Sequence, residues 1–193
     1  MNLIDRESAL KTLKSGLPII FPTDTLPAIA CLPKFSNIIY KFKKRDKNKP
    51  LILMGSEQNQ LIDFVHDSAK EDYKKIASNY WPGALTMVIP SSEKQALILT
   101  SKDRTLGLRI PNSDIAQSLM RETGPLLTSS ANISGFTGSM TVEGIALDFP
   151  SVKVLGPIPW EKSSGKASTI ISWKKSGRWR MIREGEVLVR ELH

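Results

Sequence analysis

The residues of this chain best suited to chemistry fall in a few short stretches. One is Gly124-Pro125-Leu126-Leu127-Thr128-Ser129-Ser130-Ala131-Asn132-Ile133-Ser134-Gly135. There an apolar pair reads as a buried strand that opens at once into small and polar residues. Their hydroxyls, amide and backbone N–H groups can hold a ligand with little bulk in the way. A strand ending in such a loop is where an α/β sheet usually places its ligand. A second is Thr23-Asp24-Thr25, a row of side-chain oxygens directly after the apolar run Leu17-Pro18-Ile19-Ile20-Phe21. A third is the basic run Lys41, Lys43, Lys44, Arg45, Lys47 and Lys49, with Asp46 as its only acid. It lies between a helix and the apolar Pro50-Leu51-Ile52-Leu53-Met54, a better place to hold phosphates than a free tail. Arg109 stands inside the apolar Leu106-Gly107-Leu108-Arg109-Ile110; buried, it needs an anionic partner, and at a sheet edge it faces water. Each stretch also has a plainer reading as a polar turn, local Asx or Ser/Thr bonding, or a solvated charged face.

Other chemistries find little support. With Cys31 as the one cysteine, the chain can form neither an internal disulfide nor a cysteine-based zinc site. The two histidines, His66 and His193, make a histidine metal site or a Ser-His-Asp triad a poor reading, and His66 reads as a surface residue. No complete Gly-x-Gly-x-x-Gly occurs. Gly165-Lys166-Ala167-Ser168 has half the pattern of a phosphate loop, but Trp160 stands where its first glycine belongs and Ala167 where Ser or Thr should follow. The Ser-x-x-Lys spacings at Ser163–Lys166 and Ser91–Lys94 lack the partner motifs of acyl-transfer enzymes.

The elements that must position these residues interleave along the chain. Asp5 can cap a helix carrying Leu10 and Leu13, with Gly16 at its end. Leu17–Phe21 and Ala28–Cys31 read as strands. Ser36 can cap a helix through Ile38, Ile39 and Phe42, and Pro50–Met54 reads as a strand. Residues 56 to 81 read as two helices, the second from Ser68 and stopped by Trp81-Pro82-Gly83. Strands follow at Leu85–Ile89 and Leu106–Ile110, then a helix capped by Ser113 or Asp114 and closed by Gly124. Val142–Phe149 reads as a short helix, 156 to 167 as a long loop, and Ser168–Trp173 with Trp179–Ile182 as a hairpin around Lys174-Lys175-Ser176-Gly177. The pattern is α/β, with a twisted, open, mixed β-sheet flanked by helices, and the length of 193 residues fits a single domain spanning 1–193.

The balance of 27 Lys and Arg against 19 Asp and Glu leaves a net charge of +8, which points to anionic partners such as nucleotides, RNA or phosphates. The N-terminus is charged too early for a secretory signal and no apolar run reaches membrane-spanning length. A cytoplasmic protein without a membrane partner is expected.

Further motifs stand in a telling order: Phe21-Pro22-Thr23-Asp24-Thr25, Lys43-Lys44-Arg45 with Lys49-Pro50-Leu51, and Trp81-Pro82-Gly83-Ala84-Leu85-Thr86. Leu108-Arg109-Ile110-Pro111, Ser129-Ser130-Ala131-Asn132-Ile133-Ser134-Gly135, Ala167-Ser168-Thr169-Ile170-Ile171 and Ile182-Arg183-Glu184-Gly185 follow. On these residues, from Leu17 to about Val187, the chain resembles the YrdC-like threonylcarbamoyl-AMP synthases in their short, single-domain form. The resemblance implies a nucleotidyltransferase that joins L-threonine and bicarbonate into a carbamate, which attacks the α-phosphate of ATP. The products are threonylcarbamoyl-AMP and pyrophosphate, and Mg2+ accompanies the ATP. A partner transferase complex then modifies N6 of adenosine at tRNA position 37. By the same resemblance Lys43 and Arg45 are catalytic. Thr25, Arg109, Ser130 and Ser168 bind threonine, and Arg45, Lys49, Thr105, Asn132 and Arg183 bind the nucleotide. No resident metal site is expected.

The chain departs from the family's pattern at Leu26-Pro27-Ala28, where an aromatic and a glycine are usual, at Met54 in place of a common histidine, and at Ala167. The departures leave room for a divergent paralogue that adenylates a different carbamate, or for a basic module that binds duplex RNA nonspecifically. A carbamoyl-adenylating domain like that of hydrogenase-maturation proteins is a further alternative.

Overall fold

The structure is a computed structural model that describes residues 2–92, 104–136 and 138–190. Lys94 and His193 lie outside them. Helix α1, Arg6–Lys14, begins where the Asp5 carboxylate accepts the Ser8 N–H at 2.8 Å. The apolar spacing buries Ala9 and Leu13. Strands β2, Ile19–Phe21, and β3, Ala28–Cys31, fall where the apolar runs place them. Helix α2 spans Asn37–Lys43; Ser36 occupies its N-cap position without a side-chain capping bond, because a 3-10 turn at Pro33–Phe35 already leads the chain in. Strand β4 is Ile52–Met54, and α3 is Gln58–Ile62. The expected second helix starts later than Ser68: a 3-10 turn at Asp67–Ala69, capped by the exposed His66, leads into α4, Lys70–Tyr80.

Strands β5, Leu85–Pro90, and β6, Thr105–Arg109, lie close to their expected ranges. Helix α5, Asp114–Thr123, is capped by the Ser113 hydroxyl, which accepts the Ala116 N–H at 3.4 Å. Strand β7 runs from Leu126 through Ser130, so Thr128, Ser129 and Ser130 belong to the strand and not to the loop after it. They pair with Ala30, Ile29 and Ala28 of β3, and that central position extends the strand past its apolar pair. Helix α6 is Val142–Asp148. In the hairpin, β9, Thr169–Lys175, and β10, Arg178–Arg183, are longer than the apolar residues suggest and leave a tight turn at Ser176-Gly177. The sequence reading leaves out β1, Leu3–Ile4, and β8, Lys153–Leu155, which pair in parallel with each other.

One mixed, ten-stranded sheet joins these strands in the order β1-β8-β2-β3-β7-β4-β6-β5-β9-β10. Its two faces separate by strict alternation. Leu53, Leu85, Met87, Ile89, Leu106, Leu108 and Ile171 turn to one side, into a core completed by Ile39 of α2, Leu61 of α3, and Tyr73 and Ile76 of α4. On the other side α1 and α5 cover Ile19, Phe21, Ala28, Ala30, Met54 and Leu126. That second core ends at β4. Beyond it, across β6, β5 and β9, the same face lines a cavity.

Candidate active site

The cavity measures about 340 Å3. Its floor is made of alternate strand residues: Ile52 and Met54 of β4, at the margin of the second core, Thr105, Gly107 and Arg109 of β6, and Thr86 and Val88 of β5. Cross-strand register makes these side chains neighbours, Ile52 and Val88 beside Gly107, and Met54 beside Arg109. Gly107 keeps the centre of the floor low, because it carries no side chain between Ile52 and Thr86.

Arg109 is 3% exposed and fully partnered along one edge. Its Nη2 donates to Asp24 Oδ1 at 2.6 Å, Nη1 to Thr25 Oγ1 at 2.8 Å, and Nε to the Gly83 carbonyl at 3.1 Å. Of the two readings of this arginine, the buried one with an anionic partner is the one found. Burial pulls its pKa down, and the Asp24 charge opposes that shift. The 23–26 turn that presents Thr25 is held by Thr23, whose hydroxyl donates to Leu26 O at 2.8 Å and accepts the Thr25 N–H at 3.1 Å. Leu26 and Ala28 face the same cavity, so the departing Leu26-Pro27-Ala28 segment contributes to its wall.

The opposite rim carries cations. Arg45 follows α2 after Lys44, which takes a left-handed conformation with φ 49° and turns the chain toward the cavity. The guanidinium donates to the carbonyls of Lys49 at 3.3 Å and Pro50 at 3.0 Å. Lys49 is exposed beside it on the rim. Arg183 donates to the Ser168 carbonyl from Nε at 3.1 Å and Nη2 at 2.8 Å, while the Ser168 hydroxyl shares a hydrogen bond with Thr86 at 2.9 Å. This clasp is tight. The Gly185 N–H donates to Thr169 Oγ1 at 3.1 Å, and a Cβ there would stand 2.3 Å from the Ala167 carbonyl oxygen. That close approach explains the glycine in the Arg183-Glu184-Gly185 motif.

The structure thus brings Thr25, Arg45, Lys49, Thr105, Arg109, Ser130, Ser168 and Arg183 to one cavity wall. Lys43 and Asn132 are not part of that wall. Lys43 is only 1% exposed, and its Nζ donates to the Ser130 carbonyl, to Ser130 Oγ at 3.5 Å and to Asn132 Oδ1 at 3.3 Å. Burial, with Arg45 nearby, lowers its pKa to about 7. The sequence reading passes over Thr128, Val88 and Gly107 as lining residues, and over Asp24 as the partner of Arg109. The first three were detectable, because β5, β6 and β7 interleave them with core residues at a period of two. The Asp24–Arg109 pair joins distant parts of the chain and leaves no local signal.

Among the described residues no carboxylate lines the cavity, and no cluster of three or more His, Cys, Asp or Glu could hold a metal ion. Nor is any described helix long and apolar enough to cross a membrane. A concave wall of cations and hydroxyls over an apolar floor suits an anionic ligand with both polar and apolar parts.

Known proteins share this fold. A family profile for the Sua5/YciO/YrdC domain, described as "Telomere recombination", matches residues 11–185. The threonylcarbamoyl-AMP synthase of Buchnera aphidicola subsp. Baizongia pistaciae is 30% identical over 179 residues, covering 89% of this chain and 96% of that protein. The enzyme of the same name from Yersinia enterocolitica is 32% identical over 147 residues, covering 74% of this chain and 77% of that protein. Among solved structures, P. abyssi Sua5 complexed with L-threonine superposes with a TM-score of 0.85 at 25% identity, covering 96% of this chain. This chain spans only 58% of the length of that one. E. coli YciO shares the fold, with a TM-score of 0.81 at 22% identity over 99% of this chain and 98% of that chain.

Proposed function

Because the chain belongs to the Sua5/YciO/YrdC family, we infer that it is a threonylcarbamoyl-AMP synthase, a transferase that adenylates a carbamate made from L-threonine and bicarbonate. The observation that carries this reading is the cavity wall, which combines Arg45, Lys49, Arg109 and Arg183 with hydroxyls and, among the described residues, contains no carboxylate. In the reaction the threonine amine attacks the carbon of bicarbonate and water leaves, giving an N-carboxylate. One oxygen of that carboxylate then attacks the α-phosphorus of ATP. The bond from the α-phosphorus to the bridging oxygen breaks, and pyrophosphate departs with the electron pair.

Bicarbonate, the carbamate, ATP and pyrophosphate are all anions, so the protein's main task is neutralisation and alignment. Arg109, rigid between Asp24, Thr25 and Gly83, suits the carboxylate of the amino acid. Two of its N–H groups, one on each terminal nitrogen, are not engaged by those bonds. Thr25 and Ser168 supply hydroxyls on the same side. Arg45, Lys49 and Arg183, on the open rim, suit the phosphates and stabilise the charge that gathers on the leaving pyrophosphate. No group on the wall needs to act as a covalent nucleophile. Magnesium enters with the substrate, as the complex of ATP held by its own phosphates, since among the described residues the wall offers no carboxylate to keep it.

Delivery of the product to a tRNA-modifying transferase complex is the role we propose downstream. Calorimetry with ATP, L-threonine, L-serine and glycine tests the assignment. Saturable binding of ATP and of L-threonine at a stoichiometry of one each is expected. Absence of any amino acid binding would overturn the synthase reading in favour of a paralogue with another substrate.

A further inference from the structure

Lys43 lies immediately behind the cavity wall, and its surroundings account for all of its hydrogen-bonding capacity. An ammonium has three N–H donors. Three oxygens receive them: the Ser130 carbonyl, Ser130 Oγ and Asn132 Oδ1. Asn132 is equally committed. Its carbonyl oxygen accepts from Lys43 and from the Ser130 hydroxyl at 2.5 Å, and its amide nitrogen donates to Ile133 O at 3.0 Å and Phe136 O at 2.7 Å. Two lone pairs and two N–H groups are all that an asparagine side chain has. The backbone adds a further tie, because the Ser134 N–H donates to the Lys43 carbonyl at 3.1 Å. Within this network only Ser130 reaches the cavity.

We propose that Lys43 is a positioning residue of the carbamate-adenylating reaction: its ammonium clamps the end of α2 to the end of β7 and the 131–136 loop, and fixes the Ser130 hydroxyl against the substrate. In this arrangement the Ser130 proton is spent on Asn132, so the cavity meets Ser130 Oγ as an acceptor, suited to an N–H or O–H of the ligand more than to a phosphate oxygen. The clamp also sets Arg45, two residues further on, at the rim. The proposal rests on the synthase reading for its reaction and on the hydrogen-bond network for its mechanism.

The clamp requires the charged amine. Arg45 is the charged group acting on Lys43, Lys41 of α2 and Lys44 just after it are exposed, and the 131–136 loop brings no titratable side chain. No carboxylate pairs with Lys43 among the described residues. With its pKa lowered to about 7, Lys43 loses its proton on the alkaline side of neutrality and the clamp weakens there.

The test uses the full chain and compares wild type with Lys43→Met, Ser130→Ala, the double variant, and Asn132→Ala, which removes an acceptor from the other side without touching the lysine. Hydrogen exchange of the amides at 131–136 is read on the unliganded proteins. Exchange at least tenfold faster in Lys43→Met and in Asn132→Ala supports the clamp; unchanged exchange in both overturns it. Exchange needs no turnover, so it answers for Lys43 even where no adenylate forms, an outcome that would instead refute the synthase reading. In turnover, each single variant should lose at least tenfold in kcat/KM for ATP, with the double variant within threefold of the worse single. The wild-type fall in kcat/KM above neutral pH should be absent in Lys43→Met. Losses that multiply in the double variant, with an unchanged pH profile, would mean that Lys43 touches the substrate directly and would overturn the proposal.

Discussion

Adding one methyl group at Gly107 should separate the demands of the fold from those of the site. An ideal Cβ at this position would stand 3.5 Å from Ile52 Cγ1 and 3.6 Å from Thr86 Cγ2, ordinary contact distances with no clash. The strand therefore accepts Gly107→Ala without moving, and the loss of glycine's freedom in the unfolded chain favours the variant by about 0.5–1 kcal/mol. The methyl rises from the centre of the cavity floor between β4 and β5, where a substrate resting on the sheet must meet it. Overpacking at such a contact costs about 1–3 kcal/mol, or roughly 5- to 150-fold in Kd. Gly107→Val, with two further methyl groups, should abolish binding. Urea unfolding and nucleotide calorimetry on the same preparations read both effects. Stability unchanged or raised together with weakened binding is expected. Undiminished affinity in Gly107→Val would refute the placement of substrate on this floor.

Arg109→Met should destabilise by about 3–5 kcal/mol, because it strands the largely covered Asp24 carboxylate and the Gly83 carbonyl; urea unfolding measures it, and Asp24→Asn in the same background should recover part of the loss. Arg45→Ala and Arg183→Ala remove rim groups whose bonds go to nearby carbonyls, so stability should change little while ATP binding loses about 1.5–3 kcal/mol by calorimetry. Stability between pH 7 and 9 should rise through Lys43: its folded pKa is lowered to about 7, so over this range the unfolded chain binds more protons than the folded one. The slope approaches about 1.4 kcal/mol per pH unit and should vanish in Lys43→Met. Above pH 9 the buried Cys31 thiol, pushed up to about 12, acts in the opposite direction, because there the unfolded chain loses the proton first.

Apolar runs and caps were readable wherever burial and local chemistry agree. Asp5, Ser113 and Gly124 mark their helix ends, β2, β5 and β6 lie where Val, Ile and Leu concentrate, and β3 lies on the small apolar run Ala28-Ile29-Ala30-Cys31. What escaped depends on pairing that one segment cannot announce. Leu3–Ile4 and Lys153–Leu155 are too short and too plain to read as strands until they pair with each other and the second pairs with β2. Thr128, Ser129 and Ser130 read as loop because they are polar, yet all three pair with β3, and Thr128 with β4 as well, which keeps the chain extended. The site was legible as a set of residue types and motifs. Its depth was not, because nothing in Lys43-Lys44-Arg45 reveals that the first side chain turns inward while Arg45 reaches the rim.

Pyrophosphate release from ATP with the purified chain tests the central claim most directly. It should be measured with L-threonine and bicarbonate together, with each alone, and with neither, while the adenylate product is identified by mass. Stoichiometric pyrophosphate and threonylcarbamoyl-AMP only when all three substrates are present is the predicted result. Pyrophosphate release indifferent to L-threonine and bicarbonate, or none under any condition despite ATP binding, would contradict the assignment of this cavity to carbamate adenylation.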